Sequence, residues 1–291
     1  MHHATKLLLT GLFGSLILSV SLPAAAAEGD TLQRIEQRGS IVLGFREDRP
    51  PLSFRNPEGQ VAGFSIDLCM AVAEAVRTKL GRTDLGVSFV PVTVEDRFQQ
   101  IEEGKIDLLC GATTKTLGRQ EQVDFSQLTF VTGATLLSRS ENPVPGIGGL
   151  TGKTVAVIAD TTTEEALNQR LEQAQSDAVV VTVESAQEGV DAVIAGEVSA
   201  FASDQVVLIG LVLTSTSGTR FAIANELFSF EPFALALPRN DADFRLVVNR
   251  TLAGLYRSGR VTPIYERWFS RFANEPPDLL QALYVLGSTP E

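Results

Sequence analysis

The stretch from Asp107 to Ser126, DLLCGATTKTLGRQEQVDFS, places small residues, hydroxyl groups and one arginine directly after a short apolar strand. Gly111 and Ala112 allow backbone N–H groups to come close to a bound molecule, and Arg119 offers a planar set of donors that fits a carboxylate. These residue types favour the capture of a small anion. A turn that carries an exposed arginine is the alternative, because short loops rich in glycine and threonine are common.

Histidine chemistry is excluded for most of the chain, because both histidines, His2 and His3, lie near its start. The first 27 residues carry Lys6, an apolar run and small residues at the A-x-A positions before Ala27, features typical of a cleaved secretory signal. A retained membrane anchor is less favoured, because the run is short and ends in this cleavage pattern. We expect cleavage after Ala27, which leaves no histidine for a triad, a metal site or acid–base catalysis. No cofactor and no metal are expected.

The chain is acidic, with 24 Lys and Arg against 35 Asp and Glu and a formal charge of -11. This balance argues against nucleic acid and anionic lipid as partners. It does not exclude a small anionic ligand, because a closed cleft responds mainly to the charges that line it. No apolar run after residue 27 approaches the length of a membrane span, so we expect an exported, soluble protein without a membrane anchor.

Two cysteines are present, Cys69 and Cys110, and their separation does not fit a metal motif. In an oxidising compartment they could form a disulfide. Two buried free thiols, which behave as small hydrophobic groups, are the alternative.

Strand and helix patterns alternate along the chain, which predicts mainly parallel sheets with helices on both faces. The segment IEEGKIDLLCGAT (101–113) is echoed by IAGEVSAFASDQ (194–205), so we predict two lobes built on one plan. In open α/β sheets, ligands bind at the carboxyl ends of strands. Arg46, Thr114, Thr162 and Asp204 all follow predicted strands, and we expect them to face one cleft.

The residues Thr113, Thr114, Thr116 and Arg119, followed by VDFS at 123–126, resemble the signature of bacterial polar amino-acid-binding proteins of ABC importers, which form solute-binding protein family 3. PPLSF at 50–54 and the later motif I-Y-x-x-W-F at 264–269 extend the resemblance over most of the chain. The resemblance implies the α/β two-lobe periplasmic-binding-protein fold of type II, in which two hinge strands join the lobes. We place a signal peptide at 1–27, lobe 1 at 28–137 and 232–291, and lobe 2 at 138–231.

Within this family the chain resembles most the glutamate/aspartate-binding members. The resemblance implies that Arg46 and Arg97 bind the side-chain carboxylate of the ligand, Arg119 its α-carboxylate and Asp204 its ammonium group. Three arginines and one aspartate would leave a charge of +2 around a ligand of charge -1. The predicted ligand-binding residues are Arg46, Phe54, Arg97, Ala112, Thr114, Arg119, Thr162, Glu188 and Asp204.

Several of these positions leave alternatives open. Val94 and Ala112 stand where the family members carry small hydroxyl residues, and Glu188 stands where they often carry histidine. Glu188 would lower the charge of the pocket to +1 if it lines the cleft, and it is otherwise a solvated helix residue. Phe54 either stacks on the ligand or packs in the core.

The resemblance implies a non-enzymatic, monomeric periplasmic receptor that captures glutamate or aspartate between closing lobes. It would deliver the amino acid to the membrane permease of an ABC importer. A receptor for another polar amino acid, such as glutamine, is the first alternative. An enzyme similar to cyclohexadienyl dehydratase, with Glu188 as its acid, is the second.

Overall fold

The computed structural model describes residues 31–272 and 275–291. The predicted signal peptide, residues 1–27, lies outside the described residues. The described chain forms an α/β fold with a five-stranded sheet in each of two lobes and a small three-stranded sheet beside the first. Within these residues, no helix combines the length and apolar character that crossing a membrane requires.

The first part of lobe 1 contains three parallel strands and the longest helix of that lobe. Its elements are α1 (Thr31–Arg38), β1 (Ser40–Phe45), β2 (Asp48–Arg49), β3 (Ser53–Arg55), β4 (Val61–Ala62), α2 (Phe64–Leu80), β5 (Gly86–Pro91), α3 (Arg97–Glu102), β6 (Leu108–Cys110) and β7 (Asp124–Thr132).

Helix α2 buries one apolar face, because Leu68, Val72 and Val76 recur at the spacing of one helical turn and are fully buried. The helix begins at Phe64, after Gly63 at φ 136°. A Cβ at Gly63 would lie 2.2 Å from the carbonyl oxygen of Leu52, so this close approach of two backbone segments requires glycine.

Lobe 2 repeats this arrangement of strands and helices. Its elements are β8 (Ala134–Arg139), β9 (Thr154–Ile158), α4 (Thr162–Gln173), β10 (Val179–Val183), α5 (Ala186–Ala195), β11 (Ala200–Asp204), α6 (Gln205–Thr214) and β12 (Phe221–Ile223). The order in its sheet is β10-β9-β11-β8-β12, in which β10, β9 and β11 are parallel and β8 and β12 are antiparallel to their neighbours.

The chain then returns to lobe 1 through β13 (Glu231–Leu237), α7 (Ala242–Arg257), α8 (Val261–Phe269) and α9 (Asp278–Gly287). Strand β13 completes the first sheet, whose order is β5-β1-β6-β13-β7. Helix α8 packs on lobe 1, where the ring of Phe269 stacks on Phe130 at 5.1 Å between centroids and Trp268 Nε1 donates to Asp67 at 2.8 Å.

The chain changes lobes at Gly133, between β7 and β8. The sequence-based boundary at Leu137 falls inside β8, because the apolar run from Phe130 to Leu137 is divided between the sheets of both lobes. A Cβ at Gly133 would lie 2.5 Å from the carbonyl oxygen of Ser229, so the outgoing and returning segments touch at this point. The return occurs just before Glu231, the first residue of β13.

Cys69 and Cys110 form a disulfide whose Cα atoms lie 6.2 Å apart. The bond joins the first half of α2 to the last residue of β6. It therefore anchors the strand that leads directly into Gly111 and Ala112, the start of the candidate site.

Candidate ligand-binding cleft

A small cleft lies between the lobes, at the carboxyl ends of strands from both sheets. Lobe 1 contributes residues that follow β1 and β6, and lobe 2 contributes residues at the ends of β9 and β11. The lining residues are Arg46, Arg49, Val94, Arg97, Ala112, Thr114, Arg119, Ile158, Thr161, Thr162, Thr163, Ala202, Ser203 and Asp204.

The structure brings together most of the residues that the sequence predicted for ligand binding. Those that line the cleft are Arg46, Arg97, Ala112, Thr114, Arg119, Thr162 and Asp204. They are scattered over the sequence, and they meet because parallel strands end at the same edge of their sheet.

Phe54 and Glu188 lie elsewhere. Phe54, on β3, packs edge-to-face on Trp268 with the ring centroids 5.7 Å apart, and it borders a separate cavity beside Pro50. Glu188 is exposed in the first turn of α5, where its Oε2 accepts a hydrogen bond from the backbone N–H of Glu184 at 2.7 Å. Its carboxylate therefore caps a helix and does not lower the charge of the cleft.

Arg97 and Arg119 form a positively charged side of the cleft. Both guanidinium groups lie over the ring of Phe98, at 4.7 and 5.7 Å from its centroid, and neither forms a salt bridge with a described residue. Burial, together with the charges of Arg119, Arg46 and Arg49, lowers the pKa of Arg97 to about 9. The buried Nε of Arg97 has no hydrogen-bond partner among the described residues. The guanidinium group of Arg119 donates, among those residues, only to the carbonyl of Thr114, at 2.8 Å.

Asp204 lies on the opposite side, at the end of β11 and the start of α6. Its Oδ1 is buried and finds no hydrogen-bond partner within residues 31–272 and 275–291. Burial, and then the nearby charge of Glu231, raise the pKa of Asp204 to about 7. A cationic ligand group would satisfy this oxygen and favour the ionised carboxylate.

Arg46 and Arg49 follow β1 and share one carboxylate, that of Asp48. Arg46 Nη2 lies 3.2 Å and Arg49 Nε 3.8 Å from Asp48 Oδ1, while the backbone N–H of Ala186 in lobe 2 donates to Oδ2 at 2.7 Å. Burial and the charge of Arg49 lower the pKa of Arg46 to about 10. Burial would raise the pKa of Asp48, but the charges of Arg49 and Arg46, together with backbone hydrogen bonds such as that from Ala186, hold this pKa below its usual value.

Glu231 is a buried carboxylate that is not among the predicted ligand-binding residues. Thr114 and Thr162 both donate to its Oε2, and Ser229 donates to its Oε1 at 2.7 Å. Because both threonine hydroxyls donate their protons to Glu231, their oxygen lone pairs remain available as hydrogen-bond acceptors toward the cleft.

Arg49, Asp48 and Glu231 were missed for identifiable reasons. Arg49 and Asp48 belong to the segment REDRPP, which reads as a loop, although its second arginine lies three residues after Arg46. Glu231 is a lone acid at the start of an apolar strand, EPFALAL. An acidic residue that leads into a buried strand was the signal in the sequence, because such residues are rarely buried without a partner.

The charges of the cleft nearly balance. Arg46, Arg49, Arg97, Arg119 and Asp204 line the cleft, and the carboxylates of Asp48 and Glu231 bind lining residues from behind. These four guanidinium groups and three carboxylates leave one net positive charge when all are ionised. Nowhere in the described parts of the chain do three or more His, Cys, Asp or Glu side chains cluster in a way that could hold a metal ion. The arrangement suits a small ligand with separate anionic and cationic groups and a net charge of about -1.

The family described as bacterial extracellular solute-binding proteins, family 3, matches residues 41–271 of the chain. The glutamate/aspartate import solute-binding protein of Salmonella typhimurium is 31% identical over 265 residues, which are 91% of this chain and 87% of that protein. The L-glutamate/L-aspartate-binding protein of Pseudomonas aeruginosa is 32% identical over 273 residues, which are 93% of this chain and 89% of that protein.

A solved structure of an ancestral amino acid-binding protein, a precursor of cyclohexadienyl dehydratase, has the same fold. Its TM-score to this chain is 0.72 at 28% identity, and the match covers 82% of this chain and 99% of the other.

Proposed function

The chain belongs to the bacterial extracellular solute-binding proteins of family 3, and we propose that it captures glutamate or aspartate in the cleft between its two lobes. It delivers the amino acid to the membrane permease of an ABC importer, and it acts as a monomer in the periplasm. The named functions of the relatives from Salmonella typhimurium and Pseudomonas aeruginosa support this proposal.

One observation carries the proposal. The buried donor Arg97 Nε and the buried acceptor Asp204 Oδ1 both lack hydrogen-bond partners among the described residues, and both residues line the same cleft. A buried polar group without a partner costs about 1 to 3 kcal/mol, so this pair is expected to be satisfied by a ligand. An amino acid with an acidic side chain brings an ammonium group for Asp204 and carboxylates for the arginines.

The proposed contacts follow from this arrangement. Arg119 binds the α-carboxylate, because it holds the backbone carbonyl of Thr114 and lies close to Glu231 and Asp204. Arg97, assisted by Arg46, binds the side-chain carboxylate. The ammonium group donates to Asp204 and to the hydroxyl oxygens of Thr114 and Thr162, whose protons are already directed at Glu231.

We propose that the protein binds and releases its ligand without converting it. The dehydratase hypothesis depended on Glu188 as the acid, and that side chain is exposed and caps α5 outside the cleft. Incubating the protein with cyclic dienyl precursors of aromatic amino acids and measuring product formation tests the enzymatic alternative directly.

A calorimetric screen of the common amino acids against the exported protein tests the receptor proposal. We expect saturable heat with glutamate and aspartate and much weaker binding of glutamine and asparagine, which have the same shapes without the side-chain charge. Tighter binding of glutamine than of glutamate would contradict the acidic ligand and support the receptor for another polar amino acid.

A further inference from the structure

We infer that Arg49 is a specificity-determining residue of the cleft: its guanidinium group supplies the positive charge that makes the site prefer an acidic side chain to its neutral amide. This inference rests on the proposed function and deepens it. Arg49 is not among the residues that the sequence indicated for ligand binding.

The position of Arg49 is that of a ligand-facing group. It is the second residue of the short strand β2, it lines the cleft, and only 5% of its surface is exposed. Its side chain makes no hydrogen bond with any described residue, and its nearest carboxylate, Asp48, lies 3.8 Å from its Nε, beyond hydrogen-bond distance. Among the described residues, its guanidinium group therefore has one long ion pair, with Asp48, and keeps its hydrogen-bond donors free for a further anion.

Arginines with a structural role in this fold are bonded differently. Arg77 donates twice to the carbonyl of Leu85, at 2.9 and 2.7 Å, and Arg55 donates to Glu47 at 2.9 Å and to the carbonyl of Gly59 at 2.8 Å. Arg49 has neither kind of contact, although it is more deeply buried than either of them. Its surroundings therefore fit a binding role better than a scaffolding role.

Asp48 explains why a further arginine is needed beside Arg46. Asp48 accepts a hydrogen bond from Arg46 at 3.2 Å, so the charge of Arg46 is partly neutralised before a ligand arrives. Asp48 also accepts from the backbone N–H of Ala186, which fixes this carboxylate between the lobes. Arg49 restores the positive charge that Asp48 removes.

Arg49 supplies one of the four positive charges in the charge balance of the cleft. With Arg49 present, the four arginines and the carboxylates of Asp48, Asp204 and Glu231 leave one positive charge, which matches the net charge of glutamate. Without Arg49 the balance is zero, which matches glutamine. The charge of Arg49 also acts on both sides of the cleft, because it adds to the lowering of the pKa of Arg97 and opposes the rise in the pKa of Asp204 that burial causes.

The experiment is a calorimetric titration of wild type, Arg49→Gln and Arg49→Lys with L-glutamate and L-glutamine. We expect Arg49→Gln to reduce the ratio of the two association constants by about tenfold or more, mainly through weaker binding of glutamate. Arg49→Lys keeps the charge and is expected to retain most of the preference. Arg55→Gln is the matched control, because Arg55 is an exposed arginine on the neighbouring strand β3, and its ratio should not change.

Three outcomes would overturn the inference. The first is an unchanged ratio in Arg49→Gln, and the second is an equal loss of affinity for both ligands, which would indicate a structural role. The third concerns the variant Asp48→Asn, which keeps Arg49 and tests the charge balance even if Arg49→Gln does not fold. We expect Asp48→Asn to raise the preference for glutamate over glutamine, so a lower or unchanged preference is the third outcome that contradicts the inference.

The wild type separates the two proposals. If it prefers glutamate and Arg49→Gln keeps that preference, only the role of Arg49 fails. If the wild type binds both amino acids equally, the acidic-ligand proposal fails, and the inference about Arg49 fails with it.

Discussion

Thr114 of lobe 1 and Thr162 of lobe 2 lie 3.3 Å apart, hydroxyl to hydroxyl, and both donate to the same oxygen of Glu231. Glu231 is the first residue of β13, the strand by which the chain returns to lobe 1. A carboxylate at the point where the chain returns to lobe 1 thus binds one hydroxyl from each side of the cleft. Glu231 positions these two residues relative to each other, and it fixes the direction of their protons.

We expect Glu231→Gln to weaken the binding of every amino acid by a similar factor. The amide is neutral and has only one oxygen, so it accepts more weakly from the two threonines and can no longer accept from Ser229 on a second oxygen. The orientation of Thr114 and Thr162 toward the ammonium group is then less firmly fixed. A charged hydrogen bond of this kind contributes about 1.5 to 3 kcal/mol, which corresponds to roughly 10- to 150-fold in affinity. Calorimetry with glutamate and glutamine measures the change.

Glu226→Gln is the matched control, because Glu226 is exposed on the segment that leads to β13. A Glu231→Gln variant that changes the ratio of glutamate to glutamine binding, while keeping the affinity for one of them, would contradict a positioning role. The same would follow from unchanged binding of both ligands.

Much of the cleft could be predicted from the sequence, because it depends on a regular feature of α/β folds. Apolar strands of known direction end at one edge of their sheet, so Thr114, Thr162 and Asp204 could be placed together before their contacts were known. The same rule placed Arg46 after β1. These residues are positioned by backbone topology, which the pattern of apolar runs reveals.

The remaining site residues depend on contacts that no local pattern encodes. Phe54 turns toward Trp268, more than 200 positions later in the chain, and this packing removes it from the cleft. Glu188 finds a local partner in the backbone of Glu184, which a helix start makes available. Arg49 and Glu231 become functional candidates only once their burial and their partners are known.

Arg97 and Arg119 should differ in which ligands they affect. Arg97→Ala removes a partner of the side-chain carboxylate, so we expect a loss of about 2 to 5 kcal/mol for glutamate, roughly 30- to several-thousand-fold, and a much smaller loss for glutamine. Arg119→Ala should weaken both ligands alike, because both carry the α-carboxylate. Titration of the two variants with both amino acids provides the comparison.

Arg46→Ala belongs to the same series. We expect it to reduce the ratio of glutamate affinity to glutamine affinity less than Arg97→Ala does. Arg46 already has a partner in Asp48, whereas Arg97 forms no ion pair with a described residue. Equal effects of Arg97→Ala on glutamate and glutamine would argue against its contact with the side-chain carboxylate.

The disulfide between Cys69 and Cys110 should stabilise the fold substantially. It closes a loop with a sequence separation of 41 residues, for which the chain-entropy model gives about 4 kcal/mol of stabilisation. We expect the double variant Cys69→Ala/Cys110→Ala to lose about 3 to 4 kcal/mol in the free energy of unfolding, measured by denaturant titration. Equal stability of wild type with and without a reducing agent would contradict this expectation.

The titration of Asp204 should make the stability of the ligand-free protein and its affinity for the ligand depend on pH in opposite directions. The pKa of its carboxyl group is raised to about 7 in the folded protein, whereas an unfolded aspartate titrates near about 4. Between these values the folded state binds more protons than the unfolded state. The contribution of Asp204 to the free energy of unfolding of the ligand-free protein is therefore greatest at low pH. It falls as the pH rises from about 4 and is lost by about pH 7.

Ligand binding should show the reverse trend, because the ammonium group of the ligand requires the ionised form of Asp204. Below pH 7, binding must release the proton of Asp204, so we expect the association constant for glutamate to fall by up to about tenfold per pH unit as the pH drops from 7 to 5.5. Arg97, with a pKa of about 9, stays charged over this range. Calorimetry at pH 6 in two buffers of different ionisation enthalpy should detect the release of about one proton, and almost none at pH 8. Asp204→Asn should bind weakly and without this pH dependence, while an affinity of the wild type that stays constant or increases toward pH 5.5 would contradict a contact between Asp204 and the ammonium group.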